Sequence, residues 1–349
     1  MANTFRRISV IVCVAALTGL FGIARAAAAP TFPYPGGSLI QLVVPWGPGG
    51  GNDLVARLIA PVFEKELVAL GGHNITVIVV DKPGAGTRVG TEYVYHSPPN
   101  GTRLELIDSD AAPVQQLDLG ANFDVSKFTY IGQVNKDDWG ILVSKKTGIG
   151  TMGALISASE KQPILVGTAG AGGGDQIGWL LAQAILKEHG TAFPLNFVNF
   201  NSSPTVFASM QRGEAQAYFG SLASLLPATG GGYARVVVVF SRHRSAFYPK
   251  VPTAFEQHVP GAASISALVG LSRMLVGPPG IDASRTDVLR KALKMALANP
   301  GLLERAAKAR IPIDYASAAQ AYQVMMTREQ LLGKYKKIVT AALSGKGRC

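Results

Sequence analysis

The stretch LIQLVVPWGPGGGND, residues 39–53, decides how this chain is read. Leu39 to Val44 is apolar and β-branched, as a strand buried on both faces should be. Pro45 to Asn52 cannot continue it, because two prolines and four glycines interrupt the pattern. Asp53 then opens a helical pattern in which Val55, Leu58, Ile59, Val62 and Phe63 fall on one face. Pro61 sits inside that pattern and predicts a kink. Ile75 to Val80 reads as another buried strand. Short apolar strands alternating with amphipathic helices predict an α/β fold, a mainly parallel sheet flanked by helices.

The same unit recurs more than a hundred residues later. Ile164 to Val166 is a strand, Thr168 to Gly174 a second glycine-rich turn, and Asp175 opens a helix with Ile177, Leu180, Leu181, Ala184 and Ile185 on one face. Phe197 to Phe200 is a strand, Asn201-Ser202-Ser203-Pro204 opens a third helix, and Ala215 to Phe219 and Val236 to Phe240 are further strands. Two glycine-gated units predict two similar lobes. Tyr130 to Val143 is the expected crossing, and Ile265 to Val276 the return, ended by Gly277-Pro278-Pro279-Gly280. Only helices are expected after it, over 283–298, 301–309 and 316–342, punctuated by Asn299-Pro300 and Ile311-Pro312. Residues 29–137 and 258–349 then form one lobe, with 138–257 inserted as the other.

At the N-terminus, Arg6 and Arg7 precede an apolar run from Ile8 to Ile23 and a small-residue stretch from Ala24 to Ala29. This order reads as a secretory signal over 1–28, cleaved after Ala26 or Ala28, and the run is short for a membrane span. Cys13 is not a lipid-attachment site, since Val12 stands where a small residue belongs. The remaining roughly 320 residues suit two lobes. Cys349 is then the only cysteine, so no internal disulfide forms despite an oxidising compartment. Losing Arg6, Arg7 and Arg25 lowers the formal charge from +11 to +8. Those charges are scattered, with short clusters at Lys145-Lys146, Arg242-His243-Arg244 and Lys334 to Lys337 and no interleaved aromatics. They read as solvated surface rather than a nucleic-acid face, with a field that draws anions toward a cleft.

The glycine loops carry the chemistry. In Trp46-Gly47-Pro48-Gly49-Gly50-Gly51-Asn52-Asp53, consecutive glycines let the backbone approach a ligand, and Asn52 or Asp53 can cap the next helix. The first N–H groups of a helix lack intrahelical partners, and the macrodipole places partial positive charge there. A carboxylate at that end gains charge-assisted hydrogen bonds without needing lysine or arginine. Thr168-Ala169-Gly170-Ala171-Gly172-Gly173-Gly174-Asp175-Gln176 repeats this logic, and Ser202 and Ser203 add hydroxyls at a third helix start. In Asp81-Lys82-Pro83-Gly84-Ala85-Gly86-Thr87-Arg88-Val89-Gly90, a dinucleotide fingerprint fails because position 89 is Val where glycine spacing requires otherwise; a turn between sheet and helix fits better. No cofactor and no metal are expected: His73, His96, His189, His243 and His258 share no ligand spacing, and no C-x-x-C, G-x-S-x-G or S-x-x-K occurs. An enzyme reading rests on Ser109, Asp110, Asp175 and His243, none with a visible partner.

With these residues in view, the chain resembles the substrate-binding receptors of tripartite tricarboxylate transporters, the Bug family of periplasmic binding proteins. Pro45 to Asp53 matches the family's P-F-x-P-G-G-G-x-D-like loop with Trp46 at the aromatic position, and Pro83-Gly84-Ala85-Gly86 keeps the P-G-A-G of its next motif. Pro99-Asn100-Gly101 and Lys250-Val251-Pro252-Thr253 look like its P-D-G and D-V-P-T segments. The resemblance implies a type II-like two-lobed fold with a ligand cleft, closing like a flytrap. It also implies a carboxylate held by the 47–53 and 168–176 loops, delivery to membrane transporter subunits, and no catalysis; a sensor partner is the alternative. Known ligands of the family are dicarboxylates, tricarboxylates, aromatic carboxylates and some amides or neutral compounds. A periplasmic monomer is expected. Two departures shift the ligand away from a small dicarboxylate: Gly172 to Gln176 replaces a serine-rich loop ending in histidine, and Gly220, beside Phe219 and Ser221, replaces an aspartate. Asp175 would compete with a ligand carboxylate for helix N–H groups. Trp46, Phe200 and Phe219 are candidates to stack on an aromatic ligand, with at least one of them expected in the core.

Overall fold

The computed structural model describes residues 32–118, 120–170, 172–337 and 340, so the expected leader, with Cys349, lies outside the described residues. From the first glycine-gated unit come β1 (Leu39–Val44), α1 (Gly51–Ala69) and β2 (Thr76–Asp81). They are followed by α2 (Arg88–Tyr95), β3 (Arg103–Asp108), α3 (Ala112–Asp118) and β4 (Thr129–Asp137). Next are β5 (Trp139–Ser144), α4 (Met152–Lys161), β6 (Ile164–Thr168), α5 (Gly174–Glu188) and β7 (Leu195–Asn199). The chain continues through α6 (Ser203–Arg212), β8 (Ala217–Ser221), α7 (Leu226–Gly230) and β9 (Ala234–Phe240). It ends in α8 (Ala262–Val269), β10 (Leu271–Gly277), α9 (Ala283–Leu297), α10 (Pro300–Lys308), β11 (Ala316–Ser317) and α11 (Ala318–Gly333). Helix α1 begins at Gly51, two residues before the expected start, and runs through Pro61.

The strands form two sheets, ordered β11-β4-β10-β3-β1-β2 and β7-β6-β8-β5-β9. The α/β architecture is as expected, but both sheets are mixed. β1 is parallel to β2 and β3, and β6 to β7 and β8. β10 is antiparallel to β3 and β4, and β5 to β8 and β9. The antiparallel strands β4, β5 and β10 come from the expected crossing and return segments. Tyr130 to Val143 breaks at Asp138 into β4 in one sheet and β5 in the other. The return from Ile265 to Val276 breaks at Gly270, its first half forming α8, which packs on α5, and its second half β10. The two-residue strand β11 interrupts the helices expected at the C-terminal end.

In the parallel parts of both sheets, each strand ends where a helix begins. β1 leads into α1, β6 into α5 and β7 into α6, so three helix N-termini lie at carboxyl ends of strands, where open α/β sheets take ligands. Beneath the first sheet, Val55, Ile59 and Phe63 of α1 pack with Ile40, Leu42 and Leu293. Beneath the second, Phe219 is fully buried and packs edge-on against Trp139 at 5.2 Å and Trp179 at 5.3 Å between ring centroids. Phe219 is therefore a core residue rather than a stacking platform. Phe219→Ala should cost about 3–5 kcal/mol of stability, read by urea unfolding. A loss of ligand affinity with unchanged stability would contradict this placement.

Candidate functional site

One cavity of about 60 Å³ gathers the helix openings. That space amounts to roughly four or more ordered waters. Trp46, Gly47, Gly50, Gly51 and Asn52 reach it from the first loop, Ala169, Gly174 and Asp175 from the second, and Ser202 and Ser203 from the start of α6. Ser221 reaches it from the end of β8, together with Tyr218 and Gly220. Gly220 is needed there, because a Cβ would lie 2.6 Å from the Tyr218 ring.

The other residues expected at the site do not line the cavity. Pro48 and Gly49 are exposed, and the Gly49 N–H donates to Asp53 Oδ2 at 2.8 Å while Asp53 Oδ1 pairs with Arg57 at 2.6 Å. Thr168 donates to Asn199 Oδ1 at 2.5 Å. The Gly172 N–H donates to Gln176 Oε1 at 2.6 Å and the Gly173 N–H to Gly170 O at 3.0 Å, so these residues brace the second loop. Ala171 lies outside the described residues. Phe200 is half-buried against the Phe207 cluster, and Asn201 is exposed. Ser109 Oγ accepts the Ser272 N–H at 3.0 Å and links β3 to β10. In the Pro83–Gly90 segment, a Cβ on Gly90 would meet Pro45 Cα at 2.9 Å, so that glycine serves close packing.

Not all loop amides remain for a ligand. Asp175 accepts the Ala169 N–H, and the Gln176 N–H at 2.9 Å, so it does occupy donors of the second loop. In α1 the first intrahelical bond runs from Leu54 N–H to Gly50 O at 3.0 Å, leaving the amides of Gly51, Asn52 and Asp53 ahead of it. In α6 the corresponding bond runs from Val206 N–H to Ser202 O at 3.2 Å, and since Pro204 has no N–H and Ser202 and Thr205 form a capping box, the Ser203 amide is what remains ahead of it.

Residues 55–342 match the family described as tripartite tricarboxylate transporter family receptor. The chain belongs to that family. BugT of Bordetella pertussis is 25% identical over 83% of this chain and 86% of its own. A Bordetella bronchiseptica protein of family UPF0065 is 27% identical over 87% of this chain and 85% of its own. The fold matches the periplasmic binding protein BugD with a TM-score of 0.74 at 21% identity, over 86% of this chain and 97% of that one. It matches MatC from Rhodopseudomonas palustris, solved with malate, with a TM-score of 0.73 at 21% identity, over 86% and 98%. Members of this receptor family are periplasmic binding proteins, not enzymes. His243 is exposed.

What most distinguishes this receptor's cavity is a charge cluster the sequence reading did not single out. Arg273, in the middle of β10, is 2% exposed. Its guanidinium lies 4.0 Å from Asp108 and 3.9 Å from Asp137. It donates to Asn52 Oδ1, to Ser221 Oγ at 3.1 Å and to Asn135 Oδ1 at 3.4 Å. Asp108 Oδ2 in turn accepts Trp46 Nε1–H and Asn52 Nδ2–H, each at 2.7 Å. The available signal was one arginine inside an otherwise apolar strand, which must carry buried counter-charges.

Burial pushes several carboxyls up: Asp137 to about 6, Asp110 and Asp175 to about 7, and Glu105 to about 8. Burial raises Asp108 too, against the opposing pull of Arg273. A carboxyl raised on folding binds more protons in the native state, so its contribution favours folding at low pH and is lost as pH rises through the native value. Asp282, Asp124 and Glu256 are lowered and act oppositely, but in a more acidic range. The ligand-free protein should therefore lose stability, on the order of a few kcal/mol, between about pH 5 and 8. Urea unfolding across that range checks it; a rise in stability would contradict the buried, ligand-free carboxyls.

Proposed function

We propose that this receptor captures a small carboxylate, a dicarboxylate or an aromatic carboxylate, in the periplasm and delivers it to a membrane transporter. The observation that carries the reading is the convergence of three helix N-termini on one buried cavity. Partial positive charge from α1 and α6 meets there with the hydroxyls of Ser202, Ser203 and Ser221, a donor set suited to a carboxylate. Relatives of the same fold support it, since MatC was solved with malate and another Rhodopseudomonas palustris protein with adipate.

In this reading residues 1–28 are a cleaved leader, and a monomer of two lobes, 29–137 with 258–349 and 138–257, closes over the ligand. Capture is an equilibrium: a ligand that binds the closed form better shifts the population toward it. Delivery follows when the transporter recognises that form.

A thermal-shift screen with malate, succinate, adipate and benzoate tests the reading, and stabilisation by at least one acid is expected. Gly50→Val gives the geometric control. A Cβ there would meet only Gly47 O and Ser203 Oγ, both at 3.5 Å, so the fold should tolerate a side chain that projects toward the ligand. Affinity should drop at least about tenfold, measured by calorimetry, with little change in the ligand-free melting temperature. Unchanged affinity would place the ligand elsewhere.

A further inference from the structure

The helix openings at the cavity differ in what they offer. At α1 the cavity side is the backbone of Gly47, Gly50 and Gly51 with the side chains of Trp46 and Asn52, while Asp53 faces away toward Arg57. At α6 the cavity side is Ser202 and Ser203. At α5 the chain has installed its own carboxylates. Asp175 takes two N–H groups of the second loop, and Asp110 presses against the first residue of α5 so closely that a Cβ on Gly174 would lie 2.7 Å from Asp110 Cγ. The Tyr218 hydroxyl lies in the field of both, which together with burial holds it protonated. Two carboxyls stand at the α5 side of the cavity, whereas the single carboxyl at the α1 side, Asp108, is already bonded to Trp46 and Asn52.

The formal charges agree. Asp108, Asp110 and Asp175 line the cavity against Arg273, and Arg273 is already shared between Asp108 and Asp137. Arg328 also faces Asp110, but it does not line the cavity and donates to Ala267 O at 2.9 Å and to Gly270 O. A second carboxylate on a ligand would enter beside an excess of negative charge. Two residues of the cavity wall carry buried polar atoms without a hydrogen-bond partner. Asp108 Oδ1 has no hydrogen-bond donor, and the Trp139 indole N–H has no acceptor. Leaving such atoms unpaired is costly, and for Asp108 Oδ1 only Arg273 Nε, 4.0 Å away, offsets that cost.

We infer that the preferred ligand carries one carboxylate and one cationic nitrogen, the carboxylate lying at the α1 and α6 openings and the nitrogen against Asp110 and Asp175. The inference rests on the carboxylate-receptor reading above and narrows it. Asp110 and Asp175, each pushed to about 7 when the cavity is empty, ionise fully on meeting a cation. Binding therefore releases protons, and affinity rises with pH toward 8, where an aliphatic ammonium is still charged. For a diacid the trend reverses.

Calorimetry on the mature protein with matched probes tests this: β-alanine against malonate, 4-aminobutanoate against succinate, and 6-aminohexanoate against adipate. At about pH 8 at least one amino acid should bind about tenfold tighter than its paired diacid, the value of one charge-assisted hydrogen bond, with the margin shrinking near pH 5.5. Asp110→Asn should cut the amino-acid affinity about tenfold and improve the diacid, its fold confirmed by the ligand-free melting curve. If that variant does not fold, the wild-type pH series still decides. Diacids binding as tightly or better in every pair would overturn the inference and leave the receptor reading intact. Binding by none of the six probes, together with no stabilisation in the acid screen, would overturn both.

Discussion

The guanidinium of Arg273 sets the conditions for everything around it. A charge this deeply buried persists only with counter-charges and hydrogen bonds at hand. The antiparallel pairing of β10 supplies them: Arg273 stands opposite Asp108 on β3 and Asn135 on β4, and Asp137 follows two residues along. The consequences spread from there. Asn52 is fixed between Arg273 and Asp108, its carbonyl oxygen toward one and its amide toward the other, and Asn52 lies in the first turn of α1. Asp108 also anchors the Trp46 indole. The conformation of the first glycine loop, drawn from the start of the chain, is thus held by a strand more than two hundred residues later, and Ser221 ties the second sheet to the same group.

Much of this architecture is legible in the sequence, for identifiable reasons. Leu39 to Val44 is bounded by residues that cannot extend a strand, so its limits follow from local chemistry. The same holds for the starts of α5 and α6, which glycines and Ser202-Ser203-Pro204 mark within a residue. The crossing and return segments are another matter. Tyr130 to Val143 and Ile265 to Val276 each carry turn residues at their break, Asp137-Asp138 and Gly270, but nothing local says that the two halves join different sheets or differ in type. Strand direction is invisible in composition, and it is these strands that make the sheets mixed.

The site divides along the same line. Glycine loops announce backbone that must approach something, and half of their residues do reach the cavity. The side chains that give the cavity its character come from strand interiors and ends, Asp108, Trp139, Tyr218 and Arg273, where sequence spacing carries no information about what lies across the sheet. Phe219 illustrates the converse. An aromatic next to Gly220 invites a ligand-stacking role, yet strand alternation turns it inward onto Trp139 and Trp179.

A receptor that works by closure also has to avoid closing empty, and the buried carboxyls bear on that requirement. Burial takes water from the Asp110 and Asp175 carboxyls and pushes them up, and a cleft that opened would return it to them. Each proton taken up to relieve that loss is itself a free-energy cost at neutral pH, so the empty closed form is disfavoured by the same groups that would grip a cation. A ligand bringing positive charge removes the penalty only when it is in place, whereas a purely anionic one aggravates it. Selectivity and the closing equilibrium are then two readings of one electrostatic arrangement. The population shift available to a ligand is its differential affinity for the closed form, and under the proposal above that difference would come from Asp110 and Asp175 rather than from the helix dipoles, which attract any carboxylate alike.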